Sequence, residues 1–169
     1  LRETLRAALL SDLRAAGATV LIVTHDPEEA MAMADDLMLM DGGQLLQIGT
    51  PQYCYDEPKS LPAARLLGDM AVFDVIITNG QAQTPWGTWP VDAGLPDGAA
   101  QMMLRPTALH LSEQGAPALL IDSRYLGRDW GVTVDVAGQT IALKADAPWQ
   151  GGDDLHIAAD LSRAIFLPA

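Results

Sequence analysis

The chain changes character near Gly68, and that change constrains its fold more than any single motif. Before Gly68, helical and strand patterns alternate; after it, the helical patterns vanish. Leu1, Leu5, Leu9 and Leu13 recur at helical spacing, and Gly17 follows as a C-terminal stop. Val20-Leu21-Ile22-Val23 is a continuous apolar run, the pattern of a strand covered on both faces as in a parallel sheet. Asp26-Pro27-Glu28-Glu29 then reads as a helix start. Asp26 can cap, Pro27 suits the first helical position, and Glu29 sits where a capping box wants it. Both glutamates also favour the positive end of the helix dipole.

Beyond that helix, Leu37 to Met40 and Gln44 to Ile48 flank Asp41-Gly42-Gly43, a hairpin signal. Thr50-Pro51 opens a short helix, and Ser60 caps another that ends before Gly68. The sequence thus predicts helix, strand, helix, hairpin and two short helices over 1–68, the closing part of an α/β domain.

From residue 69 to 169 the predicted elements are short strands. Val72 to Thr78 comes first, and Asn79-Gly80 after it is a strong hairpin-turn signal. Met102 to Arg105, Ala118 to Leu126, Gly131 to Val136, Thr140 to Lys144 and Leu155 to Ala158 follow. Ala137-Gly138 and Gly151-Gly152 punctuate them. In Val132-Thr133-Val134-Asp135-Val136, apolar and polar residues alternate, so one face of that strand is wet. Many short strands with frequent turns predict a small β-barrel or sandwich.

Charge and cysteine content exclude whole classes of function. The net charge is −12 over 169 residues, whereas a nucleic-acid surface needs Lys and Arg to neutralise phosphates. From Asp69 onward acids outnumber bases twelve to five. Between Arg14 and Lys59 eight acids stand without a base, the composition of a solvated acidic face. Cys54 is the only cysteine, which excludes an internal disulfide and fits a reducing compartment. His25, His110 and His156 lie far apart in sequence with no metal-ligand spacing, so no metal site is expected. No apolar run is long enough for a membrane-spanning helix, and no basic-then-apolar leader opens the sequence. The first residue is Leu1 and it starts inside a helical pattern, which is the expectation for a piece of a longer protein.

The tip of the apolar run carries the one residue with evident chemistry. His25 would sit at the C-terminal end of a parallel strand, where open α/β sheets bind ligands. A helix N-terminus beside it offers backbone N–H groups to a phosphate. An imidazole there can donate to a phosphate oxygen while its other nitrogen is held by a neighbour. The plain alternative is a structural histidine at a strand end.

The segment "LIVTHDPEEAMAMADDLMLMDGGQLLQIGTP", within Thr19 to Pro58, resembles the switch-histidine region of ABC transporter ATPases, particularly importer subunits. That resemblance implies that His25 is catalytic. It would contact the ATP γ-phosphate and order the attacking water, as one part of a site closed by two ATPase subunits. The departures are as informative. The only lysines are Lys59 and Lys144, and neither completes the Gly-x-x-x-x-Gly-Lys-Ser/Thr loop that cradles phosphates. The signature motif and the Walker B strand with its acid are missing too.

The second half is similar to the oligonucleotide-fold-like, TOBE-type barrel appended to many importer ATPases. "MLRPTALHL" (Met103 to Leu111), "SRYLGRDWGVTVDV" (Ser123 to Val136) and "GGDDLHIAAD" before "AIFLP" carry that likeness. "TPWGTWP" (Thr84 to Pro90) is similar to the corresponding hairpin of ferric-iron importer ATPases. Trp86, Trp89, Trp130 and Trp149 all fall in this half, as core or as interface anchors. Arg105, Arg124 and Arg128 form either an anion site or ordinary ion pairs with nearby acids.

Taken together, the expectation is the end of a P-loop ATPase domain over 1–68, followed by a regulatory all-β barrel over 69–169. The resemblance implies ATP and Mg2+ as cofactors of a full-length protein, none being expected for this chain alone. It implies a homodimer of ATPase subunits, transmembrane permease subunits, indirectly a solute-binding protein, and a peripheral place on the cytoplasmic face of the inner membrane. Ferric iron, sulfate, molybdate, polyamines and sugars all remain open as cargo. Two rival readings of the β-domain are an oxyanion- or metal-sensing module and a pure subunit-pairing module.

Overall fold

The structure is a computed structural model that describes residues 12–13, 15–147 and 155–169. Leu1, Leu5, Leu9, Trp149 and the Gly151-Gly152 turn lie outside the described residues. The chain divides into two compact units, Leu1–Gly68 and Asp69–Ala169.

In the first unit, Gly17 closes a helical turn in the left-handed conformation at φ +63°. The Ala18 N–H reaches back to the Leu13 carbonyl at 3.1 Å, the six-to-one bond that satisfies a terminal carbonyl. The expected strand does not follow. Val20–Val23 carries no strand, and its side chains are exposed, Leu21 by 80% and Val23 by 91%. A strand exists only through its ladder partners, and no described strand pairs with this run. The apolar pattern is real; the sheet it fits is absent from the described residues.

The local signals farther on are realised. Helix α1 (Pro27–Met33) is capped by Asp26. Strands β1 (Leu37–Asp41) and β2 (Gln44–Gly49) pair antiparallel around Gly42 and Gly43. Both glycines have positive φ, +54° and +78°, the requirement of the turn type whose twist matches a hairpin. Helices α2 (Pro51–Asp56) and α3 (Leu61–Leu66) are capped by Thr50 and Ser60, whose hydroxyls accept from Tyr53 and Ala63 N–H at 3.3 Å. Leu37, Leu39, Cys54, Ala63 and Leu67 form a small core, with Met31 and Leu46 against it. Gln47 is buried with them and clamps the α2–α3 loop. Its Nε2 donates to the Glu57 carbonyl at 3.1 Å, and its Oε1 accepts from the Lys59 N–H at 2.9 Å.

The second unit is an all-β domain. Its strands are β3 (Ala71–Thr78), β4 (Gln81–Thr84), β5 (Gly87–Pro90), β6 (Gly98–Leu104), β7 (Leu109–Ser112), β8 (Ala116–Tyr125), β9 (Trp130–Val136), β10 (Gln139–Ala145), β11 (His156–Ala159) and β12 (Ile165–Pro168). They form two five-stranded sheets, ordered β12-β6-β3-β4-β5 and β10-β9-β8-β11-β7. Each registered pairing is antiparallel.

Alternation aims one face of each sheet at a shared core. Phe73, Val75 and Ile77 of β3 are buried with Val132, Val134 and Val136 of β9 and Ile141 and Leu143 of β10. Thr133 and Asp135, between the valines, are half-buried on the other face. Asn79-Gly80 and Ala137-Gly138 turn the β3–β4 and β9–β10 hairpins with positive φ at all four residues. The carboxylate of Asp97 accepts from the Asn79 N–H at 2.9 Å and holds the first turn from outside. The four-residue strands β7 and β12 were not predicted, because such short runs carry too little period to read.

Candidate functional site

Asp26 builds the segment around His25. Its Oδ1 accepts from the N–H groups of Glu28 and Glu29 at 3.0 and 3.1 Å. Its own N–H donates to Thr24 Oγ1 at 3.1 Å, and that hydroxyl donates to Glu29 Oε2 at 2.7 Å. The expected capping box therefore runs through Thr24, which links the residue before His25 to the helix after it. His25 lies between two anchored neighbours. Its imidazole is exposed and, among the described residues, makes no hydrogen bond.

One sequence expectation is corrected here. The helix start does not offer the N–H groups of Glu28 and Glu29 to a phosphate, because the Asp26 carboxylate takes both. Three carboxylates, Asp26, Glu28 and Glu29, crowd this helix start, and their charge opposes a phosphate. The imidazole is the phosphate-compatible donor that the segment leaves exposed. By itself this is a contact, not a pocket.

Neither lysine supplies a phosphate-binding loop. Lys59 lies in the α2–α3 loop, where its backbone N–H is bound to Gln47, and Lys144 lies in β10. The sequence contains no Gly-x-x-x-x-Gly-Lys-Ser/Thr run, so these residues do not make a complete ATP site.

The arginines divide between burial and pairing. Arg105, just after β6, is buried and its Nη1 reaches the Asp69 carbonyl at 3.5 Å. Arg124 is exposed and bound twice by Asp122, at 2.6 Å through Nε and 2.5 Å through Nη2. Arg128 is exposed in the β8–β9 loop. Arg124 is thus committed to a carboxylate, as expected for ordinary ion pairing.

The described tryptophans are core-forming. Trp86, Trp89 and Trp130 are half-buried against the β-domain's own core. Trp86 meets Phe73 edge to face with centroids 5.2 Å apart, and Trp130 lies beside Tyr125 at 5.4 Å. They do not stand free as interface anchors. The large apolar side chains that do stand exposed in this unit include Leu119, Leu120, Ile121 and Tyr125 of β8 and Leu126 after it. Period alone did not flag them, because a register shift between Leu120 and Asp122 turns Ile121 out of the alternation.

Among the described residues, no three His, Cys, Asp or Glu side chains are grouped to hold a metal ion. No described helix is long and apolar enough to cross a membrane.

A histidine held between Thr24 and Asp26 ahead of a glutamate-rich helix, a hairpin and two short helices, and then an all-β unit, is the arrangement that the resemblance to ABC importer ATPase subunits implies. Comparison with known proteins supports that class. No protein-family model matches the chain. It is 32% identical to the Fe(3+) ions import ATP-binding protein FbpC of Streptomyces avermitilis, over 99% of this chain and 50% of that one. It is 34% identical to the Fe(3+) ions import ATP-binding protein FbpC 1 of Rhodococcus jostii, over 100% of this chain and 51% of that one. The FbpC protein of Streptomyces coelicolor is 36% identical, over 88% of this chain and 52% of its own length. The chain belongs with the ATP-binding subunits of ABC importers. It spans about half the length of the curated relatives it matches.

Proposed function

We propose that the chain is the C-terminal part of an importer ATP-binding subunit that couples ATP hydrolysis to solute uptake, with ferric iron as the solute. The observation that carries this reading is likeness along nearly the whole chain to relatives named for Fe(3+) import. Residues 1–68 are then the end of a nucleotide-binding domain, and 69–169 a regulatory, TOBE-like β-barrel. ATP and Mg2+ belong to the complete subunit. The present residues do not fit them as a site of their own, for want of the phosphate loop.

In this reading His25 is the catalytic contact. Its imidazole donates to a γ-phosphate oxygen and helps order the attacking water, in a site closed by a second subunit. The anchored Thr24 and Asp26 support that role, since they fix the backbone on both sides of the ring. The partners are a second copy of the subunit, a transmembrane permease and, indirectly, a solute-binding protein. The place of work is the cytoplasmic face of the inner membrane. The exposed apolar side chains of β8 are the surface we assign to pairing of the two copies. A specific contact there would bury about 1,200 Å² or more in total. The Asp122 clamp on Arg124 argues against the rival oxyanion-sensing reading.

The test is His25→Ala in the complete subunit. Mg-ATP binding should stay near wild type while turnover falls on the order of 100-fold or more, since a transition-state contact acts on kcat. Unchanged turnover would return His25 to a structural role.

A further inference from the structure

Strand β8 outruns one of its two neighbours. It pairs with β9 from Ala118 to Tyr125, whereas β11 meets it only at Ala116 and Pro117, with one further bond from the Ala118 N–H to the Leu155 carbonyl at 2.8 Å. Among the described residues, the edge of β8 turned away from β9 is therefore unpaired from Asp122 to Tyr125. The Leu126 N–H bonds to the Asp129 carbonyl at 2.9 Å, so Leu126 faces β9. Alternation along an antiparallel ladder then turns the backbone groups of Arg124 toward β9 and those of Ser123 outward, onto the free edge. The side chains around this edge are apolar and exposed: Leu119, Leu120 and Ile121 before it, Tyr125 and Leu126 at its end.

We propose that β8 adds edge to edge to β8 of a second copy, antiparallel about a two-fold axis through Ser123, so that one sheet runs through both chains. This rests on the reading that the β8 surface pairs two subunits, and says how it does so. Charge selects the register. Asp122 and Arg124 lie two apart and share a face of the strand. With Ser123 opposite the partner's Ser123, each Asp122 stands opposite the partner's Arg124. The two nearest registers that keep outward backbone groups facing each other set Asp122 against Asp122 or Arg124 against Arg124, and like charges directly opposed are destabilising. The favoured register also brings Ile121 to the partner's Tyr125 and Leu120 to the partner's Leu126, apolar against apolar. A contact of this kind is isologous, so it closes at two copies and does not propagate.

An independent observation falls on the same axis. Ser123 Oγ is buried and has no hydrogen-bond partner among the described residues, which is costly to leave unmet. Directly opposed residues leave the same face of a sheet, so the two Ser123 hydroxyls meet across the axis and one donates to the other. The exposed Asp122–Arg124 pair within one chain becomes half of a four-charge network, which holds more firmly than a lone surface pair. Natural edge strands are guarded by charges and bulges that repel a second chain. Here the charges complement themselves, and the bulge between Leu120 and Asp122 only keeps the added ladder short, leaving Leu120 and Ile121 as side-chain contacts.

The experiment is analytical ultracentrifugation of the 169-residue chain from about 1 to about 100 µM, where a dimer should form. Asp122→Arg and Arg124→Asp, each alone, oppose like charges and should weaken self-association at least about tenfold. Mixed in equal amounts, the two variants should associate with each other as the unmutated chain does, because every opposed pair is again unlike. Thermal unfolding checks that each variant folds. In a Cys54→Ala background, Ser123→Cys should join two chains by a disulfide on mild oxidation, since a hydrogen-bonded antiparallel pair sets its Cα atoms about 5.5 Å apart, within disulfide reach. Leu119→Cys should not, because the register holds its two copies far apart. Amide exchange at Ser123 should slow as the chain is concentrated, while that at Arg124, already bonded to β9, stays the same. A dimer with neither the Ser123 cross-link nor the Ser123 protection overturns strand addition and leaves subunit pairing to another surface. Failure of the mixed variants to associate overturns the charge-selected register. A chain that stays monomeric at about 100 µM overturns both strand addition and the pairing on which it rests.

Discussion

Trp86 Nε1 donates a 2.6 Å hydrogen bond to the carbonyl of Ile157. The bond joins the β4–β5 turn of one sheet to β11 of the other, and the Trp86 ring also packs edge to face on Phe73. Trp86→Phe keeps most of the ring but removes the donor, and should cost about 1 kcal/mol. Trp86→Ala also loses the packing and should cost about 2–4 kcal/mol. Urea unfolding followed by far-UV dichroism measures both; an unchanged stability in Trp86→Phe would mean that the hydrogen bond contributes nothing, and equal costs in the two variants that the ring packing contributes nothing.

Gly115 approaches the same residue from the β7–β8 turn. It has φ +137°, and a Cβ built on it would lie 2.2 Å from the Ile157 carbonyl oxygen and 2.7 Å from its carbon. Because the obstacle is backbone, β11 itself would have to move. Gly115→Ala should therefore destabilise by about 3 kcal/mol or more. Gly94→Ala is the control, since nothing lies within 4 Å of its Cβ position. The melting temperatures of the two variants should separate clearly.

Ala137 is the strained residue of the β9–β10 hairpin. It holds φ +51° at a position where glycine or asparagine is at ease, and Asp135 Oδ1 steadies the turn by accepting from the Gly138 N–H at 3.1 Å. Ala137→Asn or Ala137→Gly should raise stability by about 0.5–1 kcal/mol. A loss of stability in both variants would show that the methyl contributes packing rather than strain.

Cys54 is fully buried in the core of the first unit. Burial pushes its thiol above the ordinary 9.0, the Asp36 carboxylate adds to the rise, and Lys59 partly opposes it. The folded protein holds the thiol proton more tightly than the unfolded chain does. The resulting stability is present below pH 9.0 and is lost as pH rises through the folded value. Thiol-exchange reagents should react slowly with Cys54 in the native protein and fast in denaturant. Cys54→Ala should flatten the alkaline loss of stability seen by thermal unfolding between neutral pH and pH about 10.

The sequence by itself determined whatever is local. Asp26-Pro27, Thr50-Pro51 and Ser60 start helices because a side-chain oxygen and a first-turn proline act within three residues. Gly42-Gly43 and Asn79-Gly80 turn hairpins because φ is a property of the residue. Alternation told which side chains of β9 face inward. The resemblance carried by the Thr24-His25-Asp26 segment was also legible, and likeness along nearly the whole of this chain to about half the length of importer ATP-binding proteins supports it.

Only the tertiary structure decided which elements meet, because period reports a face and never a partner. Val20–Val23 reads as a buried strand, yet without a pairing strand among the described residues it lies exposed. Gln47 looks like a surface residue until the α2–α3 loop closes over it. Trp86 reaches Ile157 through ladder registers that no local rule encodes. Strand pairing is a non-local choice, settled when the core that rewards it has formed.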